Sequence, residues 1–265
     1  MFDSGVGGLS VLHECLVSLP EEDFVYLGDT EWFPYGVKDR DDLRERIRAI
    51  AGLLLGDGAK LLVIACNTAT SVGEDVAREV ATEHGVDVVP VVEPQAEIAA
   101  AITDSGRVGV LATPNTVESG AYRRALEEQG RELEVTEVEA PDLAPFIQDG
   151  SPFDEGVLEM ARTYCAPLRR AEVDTLILGC THYPLVAPML QRILGRDVRL
   201  VSGGHAVAAA VQRTLERTGL TQESEGEGDY RFLCTGDAVS FRELGTRFLQ
   251  MPLGGVEQVE IPRSH

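Results

Sequence analysis

Two stretches of this chain are near copies of each other. Leu62-Val63-Ile64-Ala65-Cys66-Asn67-Thr68 aligns with Leu176-Ile177-Leu178-Gly179-Cys180-Thr181-His182 at an offset of 114 residues. Asp87-Val88 with Ala96, Ala99 and Ala100 aligns with Asp197-Val198, Ala206, Ala209 and Ala210 at an offset of 110. Phe2-Asp3-Ser4 and Ala112-Thr113-Pro114 share that offset of 110. Three matches at nearly one spacing imply a duplicated half-molecule. Whatever fold the chain adopts must hold the same unit twice.

The unit is built of alternating strands and helices. Each cysteine follows a short uninterrupted apolar run, the mark of a strand buried on both faces. Further strand patterns lie at 24–27, 86–92, 108–111, 133–138, 198–201, 230–233 and 256–261. Between them fall helical patterns at 41–55, 71–84, 117–128, 156–169, 185–194, 206–217 and 241–249. The first carries Leu43, Ile47, Ile50, Leu53 and Leu54 near helical spacing, and the second is stopped by Gly85. The acidic segment 222–229 reads as a surface loop. Such alternation predicts an α/β fold of two similar parallel-sheet lobes facing each other. Ligands of open parallel sheets sit beyond the carboxyl ends of the strands. Cys66 and Cys180 both fall there, so a pseudo-twofold axis sets them on opposite sides of one cleft.

Bulk properties narrow the function. With 44% apolar residues over 265 positions, the chain can bury a sizeable core. No apolar run has the length of a membrane span, and Met1 leads directly into Phe2-Asp3-Ser4, so a cytoplasmic protein without a leader is expected. A net charge of −21 argues against nucleic acid or anionic membrane as partner. The five cysteines are scattered, with neither a CxxC nor zinc spacing, so reduced thiols and no metal are expected.

Cys66 opens a helical segment, and backbone N–H groups at a helix start lower a thiol's pKa from its usual value of about 8.5. The same donors, with Asn67 and Thr68, suit a carboxylate. Taken alone, Cys66 is equally a small core residue. Cys180 repeats the context and adds Thr181 and His182, the latter placed to tune the thiol or take its proton. Two opposed thiols suit moving a proton off one face of a carbon and onto the other, whereas a hydrolase needs one nucleophile and an oriented base. That chemistry expects the sulfurs roughly 6–8 Å apart. Asp3 can orient or deprotonate a thiol, and it or Ser4 can cap the helix at 9–17. The glycines after Ser4 allow a ligand to approach closely. Tyr35 and Gly36 lie in a loop that can meet a carboxylate. Thr113 is a candidate ligand contact, and Thr116 a candidate N-cap. Cys15, Cys165, Cys234, His13 and His84 read as structural.

Phe2-Asp3-Ser4-Gly5-Val6-Gly7-Gly8-Leu9, Gly28-Asp29-Thr30 with Pro34-Tyr35-Gly36, Ala65-Cys66-Asn67-Thr68-Ala69, Val92-Glu93-Pro94 and Gly179-Cys180-Thr181-His182-Tyr183-Pro184-Leu185 together resemble the glutamate racemases of the aspartate/glutamate racemase superfamily. The resemblance runs in order over nearly the whole chain. It implies a second lobe (94–206) inserted in the first (1–93 plus 207–265). It also implies interconversion of L- and D-glutamate without pyridoxal phosphate or metal, supplying D-glutamate for peptidoglycan, in a cytoplasmic homodimer. By that resemblance Cys66 takes the proton from D-glutamate with help from Asp3, and Cys180 from L-glutamate with help from His182. Substrate contacts are expected from Asp3, Ser4, Tyr35, Gly36, Asn67, Thr68, Thr113, Thr116, Thr181 and His182. Two features depart from the pattern. Only Met1 precedes Phe2, so the first strand is expected to be short. Where the family often carries an auxiliary carboxylate, this chain has Gln148 followed by Asp149; an amide is neither acid nor base, so that role is lost or passes to Asp149. Competing readings are a racemase or isomerase for another small acid, and a binding protein that keeps only the cleft.

Overall fold

The computed structural model describes residues 1–149, 155–222 and 226–261. The first lobe opens with β1 (Phe2–Asp3), α1 (Leu9–Ser18), β2 (Phe24–Gly28), α2 (Arg40–Gly56), β3 (Leu61–Ile64), α3 (Asn67–Glu83) and β4 (Asp87–Pro90), after which α4 (Val92–Ile102) crosses over to the second. The second holds β5 (Arg107–Ala112), α5 (Pro114–Ser119), α6 (Ala121–Glu127), β6 (Glu134–Glu139), α7 (Leu143–Gln148), α8 (Glu155–Arg170), β7 (Thr175–Gly179), α9 (Ala187–Leu194) and β8 (Arg199–Val201), with α4 packed on its β7, β8 and α6. The chain returns through α10 (Gly203–Thr218) to β9 (Tyr230–Cys234), α11 (Ala238–Leu249) and β10 (Val256–Gln258).

Every ladder among the described residues is parallel. One sheet has the order β10-β9-β2-β1-β3-β4 and the other β6-β5-β7-β8. Stripped of β9 and β10, the first order is the second with each strand number lowered by four. The duplication read from the sequence is therefore a repeat of sheet topology. The chain leaves the first sheet after β4, builds the second, and comes back at β9, so one lobe is inserted in the other. In both sheets the strand order reverses at the first strand of the unit, between β1 and β3 and between β5 and β7, which is where such sheets bind ligands.

Local chemistry explains the helices. Asp39 caps α2 by accepting from the N–H of Asp41 and Asp42 at 2.9 and 3.1 Å, and those two carboxylates sit at the positive end of the helix. Its stripe of Leu43, Ile47, Ile50 and Leu54 is buried. Helix α3 starts four residues earlier than its apolar periodicity suggests, because Cys66 itself is the N-cap. It bends at Gly73, where a Cβ would meet Ile47 Cδ1 at 2.6 Å, so glycine lets α2 and α3 close on each other. The pattern expected as one helix over 117–128 is two, broken by Gly120 at φ 67°. Helices α4 and α7 are not among the helical patterns read from the sequence; each carries proline as its third residue, within the first turn, where a missing N–H costs nothing. The strand expected to reach Val92 ends at Pro90. That expected to run to Ile261 ends at Gln258. Residues 223–225 of the expected acidic loop lie outside the described residues. No helix among the described residues is long and apolar enough to cross a membrane.

As expected, β1 is short. It pairs Phe2 with Leu27 and Ile64, and Asp3 with Gly28, while the flanking strands continue back to Phe24 and Leu61. Beside it lies a slot of about 280 Å³ lined by Met1, Phe24, Val25, Leu61 and Val63, with Glu22, Asp57 and Lys60 among its polar residues. At its inner end the Met1 amine donates to the Val25 carbonyl at 2.8 Å. Burial pushes that amine down to about 5 from its ordinary 8.0. The folded chain thus binds fewer protons than the unfolded chain between pH 5 and 8, so stability rises with pH through that window and the penalty is complete below it.

Placing two or three apolar residues ahead of Met1 replaces the amine with a strand amide and fills the slot. One such side chain is worth roughly 1.5–3 kcal/mol, and each kcal/mol shifts the midpoint by about 2–4 °C. Thermal unfolding at pH 5.5 and pH 8 should show a higher midpoint for the extended chain and a smaller gap between the two pH values. An unchanged gap would show that the amine is not the group responsible.

Candidate active site

The two cysteines occupy equivalent places in the two sheets. Cys66 lies two residues beyond β3 and Cys180 directly after β7. Both are buried, both are free thiols, and both face one small cavity between the lobes. The first lobe gives that cavity Ser4, Phe33, Pro34, Tyr35, Gly36, Asn67 and Thr68, and the second Thr113, Ala144, Thr181 and His182. Its volume is about 20 Å³, room for about one water. Larger hollows exist, the β1 slot and a groove of about 440 Å³ beside α3. Neither carries a thiol, so chemistry rather than size marks the site.

The turn from β1 into α1 is the seam of the site. Asp3 lies behind the cavity wall, where one carboxylate oxygen accepts from the N–H of Gly5 and of Gly8, each at 3.1 Å. Its other oxygen accepts from the Thr181 hydroxyl of the opposite lobe at 3.2 Å. Cys66 is close enough to this carboxyl group for each to influence the other's protonation. No side chain caps α1, whose N-cap is Gly8, so Asp3 holds the turn ahead of the helix instead. A Cβ on Gly7 would lie 2.5 Å from His182 Nδ1 and closer still to Thr181 Oγ1. The glycines thus admit the other lobe's side chains, where a ligand had been expected.

On the second lobe, His182 Nδ1 stands 3.8 Å from Cys180 Sγ, and Nε2 lies 2.9 Å from Gln148 Oε1. Its ring is held between Phe33 and Phe248, with both centroids 5.2 Å away. The Thr68 hydroxyl meets those of Thr113 and Thr116 across the lobes at 2.9 and 3.3 Å. Thr113 lines the cavity, while Thr116 sits behind it inside α5 and caps nothing; the N-cap of that helix is Thr113. Asn67 donates to Gln95 and Tyr122, and Gln95 donates in turn to the Leu178 and Val201 carbonyls, tying the lobes together beneath the thiols. Tyr35 lines the cavity, but its hydroxyl donates to Asp29 at 2.5 Å and is not aimed at a ligand. Asp29 also receives both arms of Arg46 and the Thr235 hydroxyl, which fixes the Phe33–Gly36 wall from below. From the second lobe, Asn115 clamps the same wall by donating to the carbonyls of Tyr35 and Lys38. Phe33, Ala144, Gln148 and Phe248 are site residues that sequence reasoning left out. Apolar walls carry no motif, and Gln148 was set aside for lacking a charge. Cys15 and Cys165 lie buried in helices and Cys234 at the end of β9, while His13 and His84 bond backbone carbonyls. Among the described residues, no cluster of three His, Cys, Asp or Glu could hold a metal ion.

Residues 10–211 match the family model for Asp/Glu/Hydantoin racemase. The chain is 42% identical over its whole length to glutamate racemase of Mycobacterium tuberculosis, covering 97% of that protein. Glutamate racemase of Francisella tularensis, solved in complex with D-glutamate, is 30% identical with a TM-score of 0.91, covering 98% of this chain and 96% of that one. The Escherichia coli enzyme, solved in complex with L-glutamate and the activator UDP-MurNAc-ala, is 29% identical with a TM-score of 0.81, covering 98% and 97%. This chain belongs to the Asp/Glu/Hydantoin racemase family. It is an isomerase.

The electrostatics of this racemase run against the sequence-based expectation for its thiols. The helix-start donors are in place: the Ala69 N–H reaches Cys66 Sγ at 3.4 Å, and the His182 and Tyr183 amides pull Cys180 down. Desolvation outweighs them. Burial, followed by the nearby Asp3 charge, pushes Cys66 up to about 12. Burial likewise raises Cys180, with the charges of Cys66 and Asp3 adding to it. The Asp3 charge acts on both thiols, which therefore share one electrostatic environment. Burial raises Asp3 against the opposing bonds from Gly8, Gly5 and Thr181, and it lowers His182 to about 3, so the imidazole is neutral.

Gly7→Ala tests the seam. The added methyl drives Thr181 and His182 back from the cavity, an overpacking cost of about 1–3 kcal/mol. Racemisation should fall at least tenfold while the chain still folds, as read by turnover and thermal unfolding. Wild-type turnover in Gly7→Ala would show that the lobes need not meet there.

Proposed function

We propose that the chain interconverts L- and D-glutamate by passing the Cα proton between Cys66 and Cys180, without pyridoxal phosphate or metal. One observation carries this reading: two reduced thiols, at the same position of two copies of one topological unit, front a single cavity. Support for glutamate comes from the relatives, two of them solved with its D and L forms. The product D-glutamate supplies peptidoglycan, as the family resemblance implies.

The chain's own groups supply the steps. Cys180, as thiolate, takes the Cα proton of L-glutamate; the electron pair stays on Cα, and the Cys66 thiol delivers its proton from the opposite face. Reversal exchanges the roles. Each thiol has a partner for its own proton: Asp3 at Cys66, and His182 Nδ1 at Cys180. Since burial holds both thiols protonated, the substrate must help. Its α-ammonium, brought between them, favours the thiolate form of either. Asn67, Thr68, Thr113 and Thr181 offer side-chain polar groups for its carboxylates, and Ser4 and Gly36 offer backbone N–H. The lobes must part to admit the substrate, since the cavity as it stands holds about one water.

Cys66→Ser and Cys180→Ser should each lower racemisation by on the order of a thousandfold, with unfolding midpoints near wild type. In D2O the wild-type enzyme should place deuterium at Cα of the product enantiomer. Full activity in either serine variant would refute the paired-thiol reading, and absence of exchange with glutamate would refute the substrate.

A further inference from the structure

Gln148 sits at the C-terminal end of α7, in the second lobe, with no charge to contribute. Its side-chain oxygen nevertheless meets a ring nitrogen of the buried histidine beside Cys180 at 2.9 Å. The seat is tight: a Cβ on Gly5 would come within 2.9 Å of that same oxygen. Phe33 and Phe248 flank the buried ring, and Gln148 reaches its outer nitrogen from a half-buried position.

We propose that Gln148 is a positioning residue: its carbonyl oxygen accepts the Nε2–H of His182, fixing the tautomer that leaves Nδ1 bare toward the Cys180 thiol. This rests on the paired-thiol reading above. Neutral imidazole has one N–H, and the hydrogen bond at one nitrogen decides which nitrogen keeps it. At Nδ1 the donor is the protonated Cys180 thiol at 3.8 Å, since the Thr181 hydroxyl, 3.5 Å away, gives its hydrogen to Asp3. Nδ1 is therefore the acceptor, Nε2 carries the hydrogen, and Gln148 must present oxygen rather than nitrogen. With the other tautomer, Nδ1–H would point at the thiol and could not take its proton.

An amide does this work differently from a carboxylate. It orients the ring but adds no counter-charge, so the imidazolium formed when Cys180 ionises is balanced only by the thiolate it faces. Gln148 thereby sets the geometry of proton transfer at Cys180 and leaves its cost high. Cys66, which works with Asp3, is untouched.

The test uses Gln148→Leu and Gln148→Glu in the full chain, with L- and D-glutamate deuterated at Cα. Because the enantiomers are equal in energy, Gln148→Leu should lower kcat/KM equally in both directions, on the order of tenfold to a hundredfold. The primary isotope effects should split. That from L-glutamate rises as proton removal by Cys180 becomes more limiting, and that from D-glutamate falls toward unity. Gln148→Glu keeps an acceptor on Nε2 and favours the imidazolium, so it should move both effects the opposite way. Should Gln148→Leu not fold, Gln148→Asn, whose shorter amide withdraws from Nε2, is read in the same manner. Isotope effects that stay at wild-type values in these variants, or that rise from both enantiomers together, overturn the role of Gln148. If Cys66→Ser and Cys180→Ser are inactive in the same assays, only this proposal fails; if either retains activity, the paired-thiol reading has failed independently.

Discussion

The contact between the glycine turn of the first lobe and the Thr181–His182 turn of the second governs the rest of the molecule. Either lobe alone presents a thiol at a strand end, which is no more than a buried cysteine. Asp3 accepts from two amides of its own turn and from a hydroxyl of the opposite lobe, so a single carboxylate registers the halves against each other. Only glycine lets that register form, because a side chain at position 7 would occupy the volume of the His182 ring. The threonine hydroxyls of both lobes and the Gln95 amide repeat the arrangement deeper in the cleft, where each polar group finds its partner on the other side. Buried polar groups paired in this way hold a unique geometry, because a shift between the lobes leaves them unsatisfied at a cost of about 1–3 kcal/mol each.

That closeness determines the state of the thiols. Backbone amides at a helix start favour thiolate, and at an exposed helix end they would prevail. Here the lobes exclude solvent so completely that desolvation dominates, and both sulfurs are held as thiols. The two effects share one origin, since the contacts that aim the amides also expel the water. On the paired-thiol reading, a base that is protonated at rest must be ionised by its substrate. A cleft built on this plan favours ligands carrying a positive charge next to the carbon that reacts, and an α-amino acid carries one there.

Much of the fold was legible because its signals are local and repeated. Buried parallel strands such as β3 and β7 announce themselves as apolar runs, and the duplication tied them into equivalent places. Helices α4 and α7, missing from the sequence patterns, each hold a proline within the first turn. Cys66 and Cys180 were legible from their paired contexts. The burial of those contexts was not, since desolvation is created by the facing lobe and leaves no mark on the local sequence. Tyr35 illustrates the same limit: its place on the cavity wall follows from the loop, yet its hydroxyl is taken by Asp29, which Arg46 and Thr235 bring together from distant elements.

The scaffold is symmetric where the reaction is symmetric and departs from symmetry where the chain does. Matched strands deliver matched thiols, and matched burial raises both. The groups beside them cannot match, because the unit's first strand ends in Asp3 on one side and runs into Thr113 on the other. The second lobe makes up the difference with His182, two residues beyond its own cysteine, and that ring needs something to fix which nitrogen bears the hydrogen. A carboxylate such as Asp3 needs no such partner, because either oxygen can accept. On the proposed mechanism the asymmetry of the bases accounts for the asymmetry of their surroundings: two glycine amides and the Thr181 hydroxyl bond Asp3, whereas His182 lies between two aromatic rings and against the oxygen of Gln148.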